Sequence, residues 1–252
     1  MQYFKIVIAY DGTDFCGWQT QLDKPTVCTC MQKAFYKTFK QKISLVGASR
    51  TDSGVHAIGQ VAKFRTELNL KPKIILNAWN SILPKSILIR QVEKIDNNFH
   101  PCKNVLQKTY YYNFFLKRPL PFVSRYGWFC NYVEKIDLEK FERALNLYIG
   151  EHDFRSFCKI DIDENKNPIR KIDFIGLQKY SKHNLLQVVI KGKSFLRFQI
   201  RRMVGYALDV ARRPDLSIDY LKNILDKPSP HQKLLKAESC GLILRKIDYK
   251  YD

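Results

Sequence analysis

No apolar run in these 252 residues approaches the roughly 18 to 20 needed for a membrane-spanning helix. The opening Met1-Gln2-Tyr3-Phe4-Lys5-Ile6-Val7-Ile8-Ala9-Tyr10 lacks the charged region and cleavage site of a signal peptide and enters a strand pattern at once. A cytoplasmic protein is expected. The seven cysteines (16, 28, 30, 102, 130, 158 and 240) contain no C-x-x-C pair, and their odd number suits no complete disulfide framework. Reduced thiols are therefore expected. The five histidines, at 56, 100, 152, 183 and 231, show no helical i, i+4 spacing, so no metal site is expected. Acidic side chains are scarce as well: 24 Asp plus Glu stand against 43 Lys plus Arg, for a net charge of +19. Such an excess calls for a partner dense in negative charge, and without a membrane segment nucleic acid is favoured over an anionic lipid surface.

What is present reads as an ordinary folded protein. Hydrophobic residues make up 45% and charged residues 27%, enough for a good core in one large domain or two smaller ones. Periodicity predicts a strand over 2–10, a helix over 26–40 behind a Thr26 cap, strands around residue 52, a helix over 71–83 ended by Pro84, and a strand over 86–95. The first helix carries Val27, Met31, Ala34, Phe35 and Phe39 on one stripe; the second carries Ile74, Ile75, Ala78, Trp79 and Ile82. Asp96-Asn97-Asn98 breaks the pattern, and the polar stretch through Lys108 reads as a linker. The second half repeats that outline. A strand is expected from Lys108 to Leu116, then a helix begun by Asp137 and stopped by Gly150 that carries Leu138, Phe141, Leu145 and Tyr148. Strands near 171–180 and 184–195 with a hairpin at Ser181-Lys182-His183-Asn184, helices near 198–211 and 218–225 (behind Ser217), and a last strand near 241–249 follow. The fold class is α+β with a mostly antiparallel sheet, divided into lobes over 1–104 and 105–252.

The chemistry concentrates in Gly47-Ala48-Ser49-Arg50-Thr51-Asp52-Ser53-Gly54-Val55-His56-Ala57-Ile58-Gly59-Gln60-Val61. Ile43-Ser44-Leu45-Val46 before it and Val61-Ala62-Lys63-Phe64 after it read as strands, which places Asp52 in a tight turn at the rim of a sheet. Glycines 47, 54 and 59 permit close backbone approach or positive φ. An isolated Arg-Thr-Asp is more simply a local ion pair or an Asx turn. The whole segment, however, resembles the R-T-D-x-G-V-H-A core of the tRNA pseudouridine synthases of the TruA family, whose aspartate is the nucleophile.

That resemblance runs from Tyr10 to Leu244. Tyr10-Asp11-Gly12-Thr13-Asp14-Phe15-Cys16-Gly17-Trp18-Gln19-Thr20-Gln21 is similar to the opening Y-D-G-T-x-[FY]-x-G-[WF]-Q block and implies that Trp18 and Gln19 belong to an RNA-facing wall. Phe99-His100-Pro101 resembles F-H-A-R, and Lys108-Thr109-Tyr110-Tyr111-Tyr112 resembles the basic-x-Y-x-Y strand, whose first tyrosine, here Tyr110, stacks on the target base. Tyr112 reads as a core residue. Gly150-Glu151-His152-Asp153-Phe154-Arg155-Ser156-Phe157 and Pro168-Ile169-Arg170 match two further blocks. Residues Gly192 to Gly205 resemble G-x-x-F-L-x-x-x-[IV]-R-x-[ML]-V-G, whose arginine, here Arg201, lies near the catalytic aspartate in the family. Arg197 and Arg202 read as surface or phosphate-contacting residues. Gly241-Leu242-Ile243-Leu244 resembles the terminal G-L-x-L strand that closes one side of the uracil pocket. Four positions depart from the family pattern: Cys28, Ser49, Cys102 in place of the F-H-A-R arginine, and Glu238. Loss of that arginine would weaken one RNA or interdomain contact, which Lys103 would partly replace.

The resemblance implies two similar lobes joined in a mostly antiparallel central sheet flanked by helices. It also implies isomerisation of uridine to pseudouridine at positions 38, 39 and 40 of the tRNA anticodon stem-loop, without cofactor or metal, by a homodimer. Breaking N1–C1′ and joining C5 to C1′ needs a nucleophile that can bond to carbon and later leave, and an ionised carboxylate suits that role. Arg50 or Arg201 would hold Asp52 in its anionic form. Attack at C1′, attack at C6 and a glycal route all fit these residues. Competing readings are an RNA-binding protein on the same scaffold, a synthase with a shifted target, and a hydrolase pairing Asp52 with His56.

Overall fold

The computed structural model describes residues 1–131, 133, 136–159 and 167–250. The chain forms β1 (Gln2–Tyr10), α1 (Val27–Phe39), β2 (Val46–Gly47), β3 (His56–Thr66), α2 (Pro72–Asn80), β4 (Ile87–Ile95) and β5 (Val105–Phe115). It continues through α3 (Leu138–Asn146), β6 (Gly150–Asp153), β7 (Ile169–Tyr180), β8 (Leu185–Gly192), α4 (Gln199–Arg212), α5 (Ile218–Asp226) and β9 (Leu242–Tyr249). It divides into two compact units, Met1–Lys108 with Ile243–Asp252, and Thr109–Leu242. Strand pairs β1–β3, β1–β4, β2–β3, β6–β7 and β7–β8 are antiparallel and β3–β9 is parallel. This is the mostly antiparallel α+β arrangement expected.

In the first unit the strands run in the order β4-β1-β3-β9, with β2 also on β3. Alternation along β1 buries Phe4, Ile6, Ile8 and Tyr10 on one face. Thr26 caps α1 by accepting from the Thr29 N–H at 3.3 Å, and Lys40 ends it in the left-handed region at φ 57°. Both helices pack on aromatic groups: Phe35 and Phe64 lie 4.9 and 5.4 Å from Trp79, and Phe4 lies 5.3 Å from Phe64. The Trp79 indole donates to the Met31 carbonyl at 3.0 Å, so the ring buries its apolar body and keeps its polar edge satisfied.

Three expectations need correction here. The strand read over Ile43-Ser44-Leu45-Val46 is only Val46–Gly47, because pairing with β3 begins at Val46 and the alternation of Ile43 and Leu45 reflects burial without a ladder. α2 is shorter than 71–83, and Ile74 and Ile82 are exposed; only Ile75 and Trp79 of the stripe, one turn apart, are buried. β5 starts at Val105, so the connection after β4 is shorter than a linker through Lys108, and Lys108 itself lies inside the strand, buried.

The second unit orders its strands β5-β8-β7-β6. Asp137 caps α3 by accepting from the Lys140 N–H at 2.9 Å. The helix stops at Asn146, before Tyr148, whose hydroxyl donates to the Met203 carbonyl at 3.1 Å in the core. Gly150 opens β6 rather than ending the helix. Gly-Glu-His-Asp has little strand propensity, so no local pattern marks β6 in the sequence. Ser181–His183 form one 3-10 turn and Asn184 is left-handed at φ 47°, completing the expected β7–β8 hairpin. α4 is buried around nearly its whole circumference. Arg202 is therefore no free surface residue: it is half-buried and donates to the Cys158 carbonyl, whereas Arg197 precedes the helix and is exposed.

Candidate functional site

Asp52 lies in the loop between β2 and β3, where strand alternation stops and the backbone must reverse. The turn is closed by the Val55 N–H donating to the Asp52 carbonyl at 3.2 Å, and Gly54 adopts φ 76°. Each flank is tied to the segment after β1. The Trp18 N–H donates to the Thr51 carbonyl at 3.2 Å, the Gly54 N–H to the Phe15 carbonyl at 3.2 Å, and the Tyr10 and Thr51 hydroxyls are hydrogen bonded at 2.8 Å. Asp52 itself is half-buried, with Thr51 and Val55 buried on either side. The carboxylate thus sits on a backbone whose neighbours cannot drift independently, which is the requirement for an oriented nucleophile.

The entry to the loop is held by side chains. Gln60, fully buried on β3, donates to the Ser49 carbonyl at 2.6 Å and accepts from the N–H groups of Ser49 at 3.3 Å and Val61 at 3.2 Å. Lys108 donates to the Ala48 carbonyl at 2.8 Å, and the Cys102 thiol donates to the Gly47 carbonyl at 3.3 Å. Burial pulls the Lys108 ammonium down to about 8, opposed in part by the neighbouring Cys102 thiol. Gly47 is required by close approach, since a Cβ there would sit 2.3 Å from the Trp18 indole nitrogen. His56 is 3% exposed; its Nδ1 accepts from the Gly12 N–H at 3.1 Å and lies 3.2 Å from an Asp11 carboxylate oxygen. Its placement supports a role in fixing the Gly12 turn, which disfavours the hydrolase reading.

The remaining expected residues of the first unit fall on both sides of its surface. Arg50 and Gln19 are exposed, while Trp18 is 1% exposed and packs behind the loop, its ring 6.1 Å from Tyr10. In the second unit Tyr110 is 5% exposed and meets Phe195 edge to face at 5.2 Å. Tyr112, on the same side of β5 by alternation, is fully buried; its hydroxyl donates to the Glu238 carbonyl at 2.7 Å, and burial raises its pKa well above the usual phenol value. Arg201 is buried in the first turn of α4, where its Nε donates to the Ala237 carbonyl at 2.8 Å and its own carbonyl accepts from the Ala237 N–H at 3.0 Å. Leu242 is buried at the start of β9.

Sequence reading missed what secures the loop: the parts played by Lys108, Gln60 and the Tyr10 hydroxyl. Lys108 and Tyr10 were visible as motif members, but nothing in their spacing says which backbone atoms they reach. Of the four departures, Ser49 has both its backbone groups satisfied by Gln60, Glu238 supplies a carbonyl to Tyr112, and Cys102 contacts Gly47. Among the described residues, no group of three or more His, Cys, Asp or Glu side chains is placed to hold a metal ion, and no helix is long and apolar enough to cross a membrane.

A family profile described as tRNA pseudouridine synthase matches residues 6–102 and 144–250. A protein of Thermodesulfovibrio yellowstonii named tRNA pseudouridine synthase A is 34% identical over 99% of this chain and 100% of its own length. Proteins of the same name from Finegoldia magna and Oenococcus oeni are 35% and 38% identical, covering 99% of this chain and 100% and 99% of theirs. Among solved structures, a chain of a Cbf5–Nop10–Gar1 complex aligns with 81% of this chain and 53% of its own length at 10% identity and a TM-score of 0.32, too loose a likeness to bear on the fold.

Proposed function

The chain belongs to the tRNA pseudouridine synthase family, isomerases that act on tRNA, and we propose that it converts uridines 38, 39 and 40 of the anticodon stem-loop with Asp52 as nucleophile. The observation that carries the nucleophile assignment is the anchored turn. Thr51 is pinned through both its carbonyl and its hydroxyl, and Gly54 through its N–H, so Asp52 and Ser53 between them stand on an anchored backbone, with Asp52 half-buried. A fixed reacting group converts an encounter into an intramolecular step, which supplies much of the rate in such reactions.

The other roles are proposed from their motif positions. Arg50 and Arg201 favour the anionic form of Asp52 and orient it. Tyr110 stacks on the flipped uracil, Leu242 forms an apolar wall against it, exposed Gln19 contacts RNA, and Trp18 supports that contact from behind the loop. Flipping a stacked uridine costs a few kcal/mol, and the net charge of +19 supports compensation by phosphate contacts. The order of bond changes at C1′ and C6 is independent of these assignments. Homodimerisation, proposed on the sequence resemblance, is tested by sedimentation velocity, and a cytoplasmic location accords with a tRNA substrate.

The deciding experiment follows tritium release from tRNA labelled at uracil C5 by the wild type and by Asp52→Ala. Wild-type release with none from the variant, and tRNA affinity within about threefold because phosphate contacts dominate binding, is expected. Release by Asp52→Ala would remove the nucleophile assignment. Binding by both proteins with release by neither would favour an RNA-binding protein or a shifted target.

A further inference from the structure

We propose that Lys108 is a positioning residue for this reaction, its ammonium fixing the entry of the Asp52 loop through the Ala48 carbonyl; the inference rests on the function proposed above. Three consecutive carbonyls, those of Gly47, Ala48 and Ser49, accept from three side chains that arise in separate parts of the chain: Cys102 before β5, Lys108 within β5, and Gln60 on β3. On the carbonyl side this run is not a strand ladder: β2 ends at Gly47, and although the Ala48 N–H still donates to the Val61 carbonyl at 2.8 Å, the three carbonyls take side-chain donors. It is a side-chain replacement for one, applied where the chain leaves the sheet and four residues before Asp52.

Among the three donors Lys108 is the charged one. A lysine normally keeps its ammonium in water, but this one is 9% exposed. A charge-assisted bond of 2.8 Å to a buried carbonyl is stronger and more directional than the thiol contact at 3.3 Å. Gln60 restrains the next residue, Ser49, through both its N–H and its carbonyl. With both in place the loop has a fixed starting point; with Lys108 removed, residues 47 and 48 retain the ladder pair of Gly47 with Ala62 and the Ala48 N–H donating to the Val61 carbonyl at 2.8 Å, while the Ala48 carbonyl exchanges its ammonium donor for a thiol contact at 3.7 Å. Lys108 is assigned no contact with the reacting atoms, so its influence on the reaction passes through the loop.

The test replaces Lys108 with methionine, which keeps length and apolar bulk and removes the donor. Turnover and KM are measured by tritium release, and amide hydrogen exchange is followed in peptides covering residues 47–53. A shift of about 1 Å in a reacting group lowers rates by roughly 100-fold. The expected result is a kcat loss of that order, KM within about threefold of wild type, and exchange over 47–53 at least about tenfold faster with β1 and β3 unchanged. Unchanged exchange over 47–53 overturns the proposal whatever the rate, and faster exchange at wild-type kcat overturns the catalytic consequence. If the methionine variant does not fold, Lys108→Gln carries the test, since it retains an N–H donor but withdraws it by about one bond: a kcat loss of about tenfold supports the proposal and wild-type kcat overturns it. A wild-type protein that releases no tritium counts against the proposed function alone, and the exchange comparison still decides whether Lys108 holds the loop.

Discussion

Replacing Gly17 with alanine should cripple turnover through the Asp52 loop that its backbone packs against. Gly17 has φ 86°, where a side chain costs about 1 to 2 kcal/mol. An added Cβ would also lie 2.4 Å from the Thr51 carbonyl oxygen and 3.1 Å from the Asp52 carbonyl carbon. To reach an ordinary contact near 3.4 Å, the loop must retreat by about 1 Å. That weakens the Trp18 to Thr51 hydrogen bond, another loss of about 1 kcal/mol. Stability should therefore fall by about 2 to 3 kcal/mol, or roughly 5 to 10 °C in Tm for a chain of this length. The rate should fall further than stability alone implies, by about 100-fold, because the displaced atoms carry the proposed nucleophile. Gly150→Ala is the matched control: φ is 107°, but the nearest contact is the His152 ring at an ordinary 3.6 Å. Single-turnover tritium release at a temperature where both variants are folded separates the two effects. Wild-type turnover by Gly17→Ala, or an equal rate loss in both variants, would refute the argument that this glycine acts through the Asp52 loop.

Trp79→Ala, which empties the aromatic cluster and removes the indole donor to the Met31 carbonyl, should lower stability by about 3 to 5 kcal/mol in urea titrations; a midpoint within error of wild type would contradict the packing described. Cys158, pushed up to about 11 mainly by burial, should resist iodoacetamide at pH 8 while exposed Cys102 is labelled, as mapped by mass spectrometry; preferential labelling of Cys158 would be inconsistent with that burial. Lys108 binds its proton less tightly folded than unfolded, so between about pH 8 and 10.5 the unfolded chain holds more protons and folding gains with rising pH. The stability of wild type relative to Lys108→Met should rise by up to about 1.4 kcal/mol per pH unit across that window; a flat or falling difference would disprove the burial of the charge.

The helices were legible where periodicity and caps agreed. Thr26, Asp137 and Ser217 each accept from the N–H three residues on, as their positions before apolar stripes suggest. α2 was overextended because Ile74 and Ile82 are apolar yet exposed, and hydrophobicity says only which residues prefer burial, not which obtain it. The Asp52 segment was legible through its glycines, all three of which meet a demand: positive φ at Gly54, the Trp18 ring at Gly47 and the Arg245 backbone at Gly59. The anchors of the turn were not, because Lys108 and Ala48 lie 60 residues apart and a lysine's charge predicts a solvated surface. Arg202 misled for the same reason: its donors go to the Cys158 carbonyl, a contact that no local pattern announces.

The parallel pairing of β9 with β3 has a consequence for how the protein is made. Ile243 and Leu244 lie opposite His56 and Ala57, at the strand that leads out of the Asp52 loop, yet they are translated only after the whole of Thr109–Leu242. At ordinary ribosomal speeds that interval is on the order of ten seconds. Throughout it the nascent first unit exposes an unpaired strand edge, open to mispairing and to chaperones. Completion of the sheet beside the loop is thus timed by synthesis, and the enzyme cannot be finished on the ribosome before its C-terminal strand emerges.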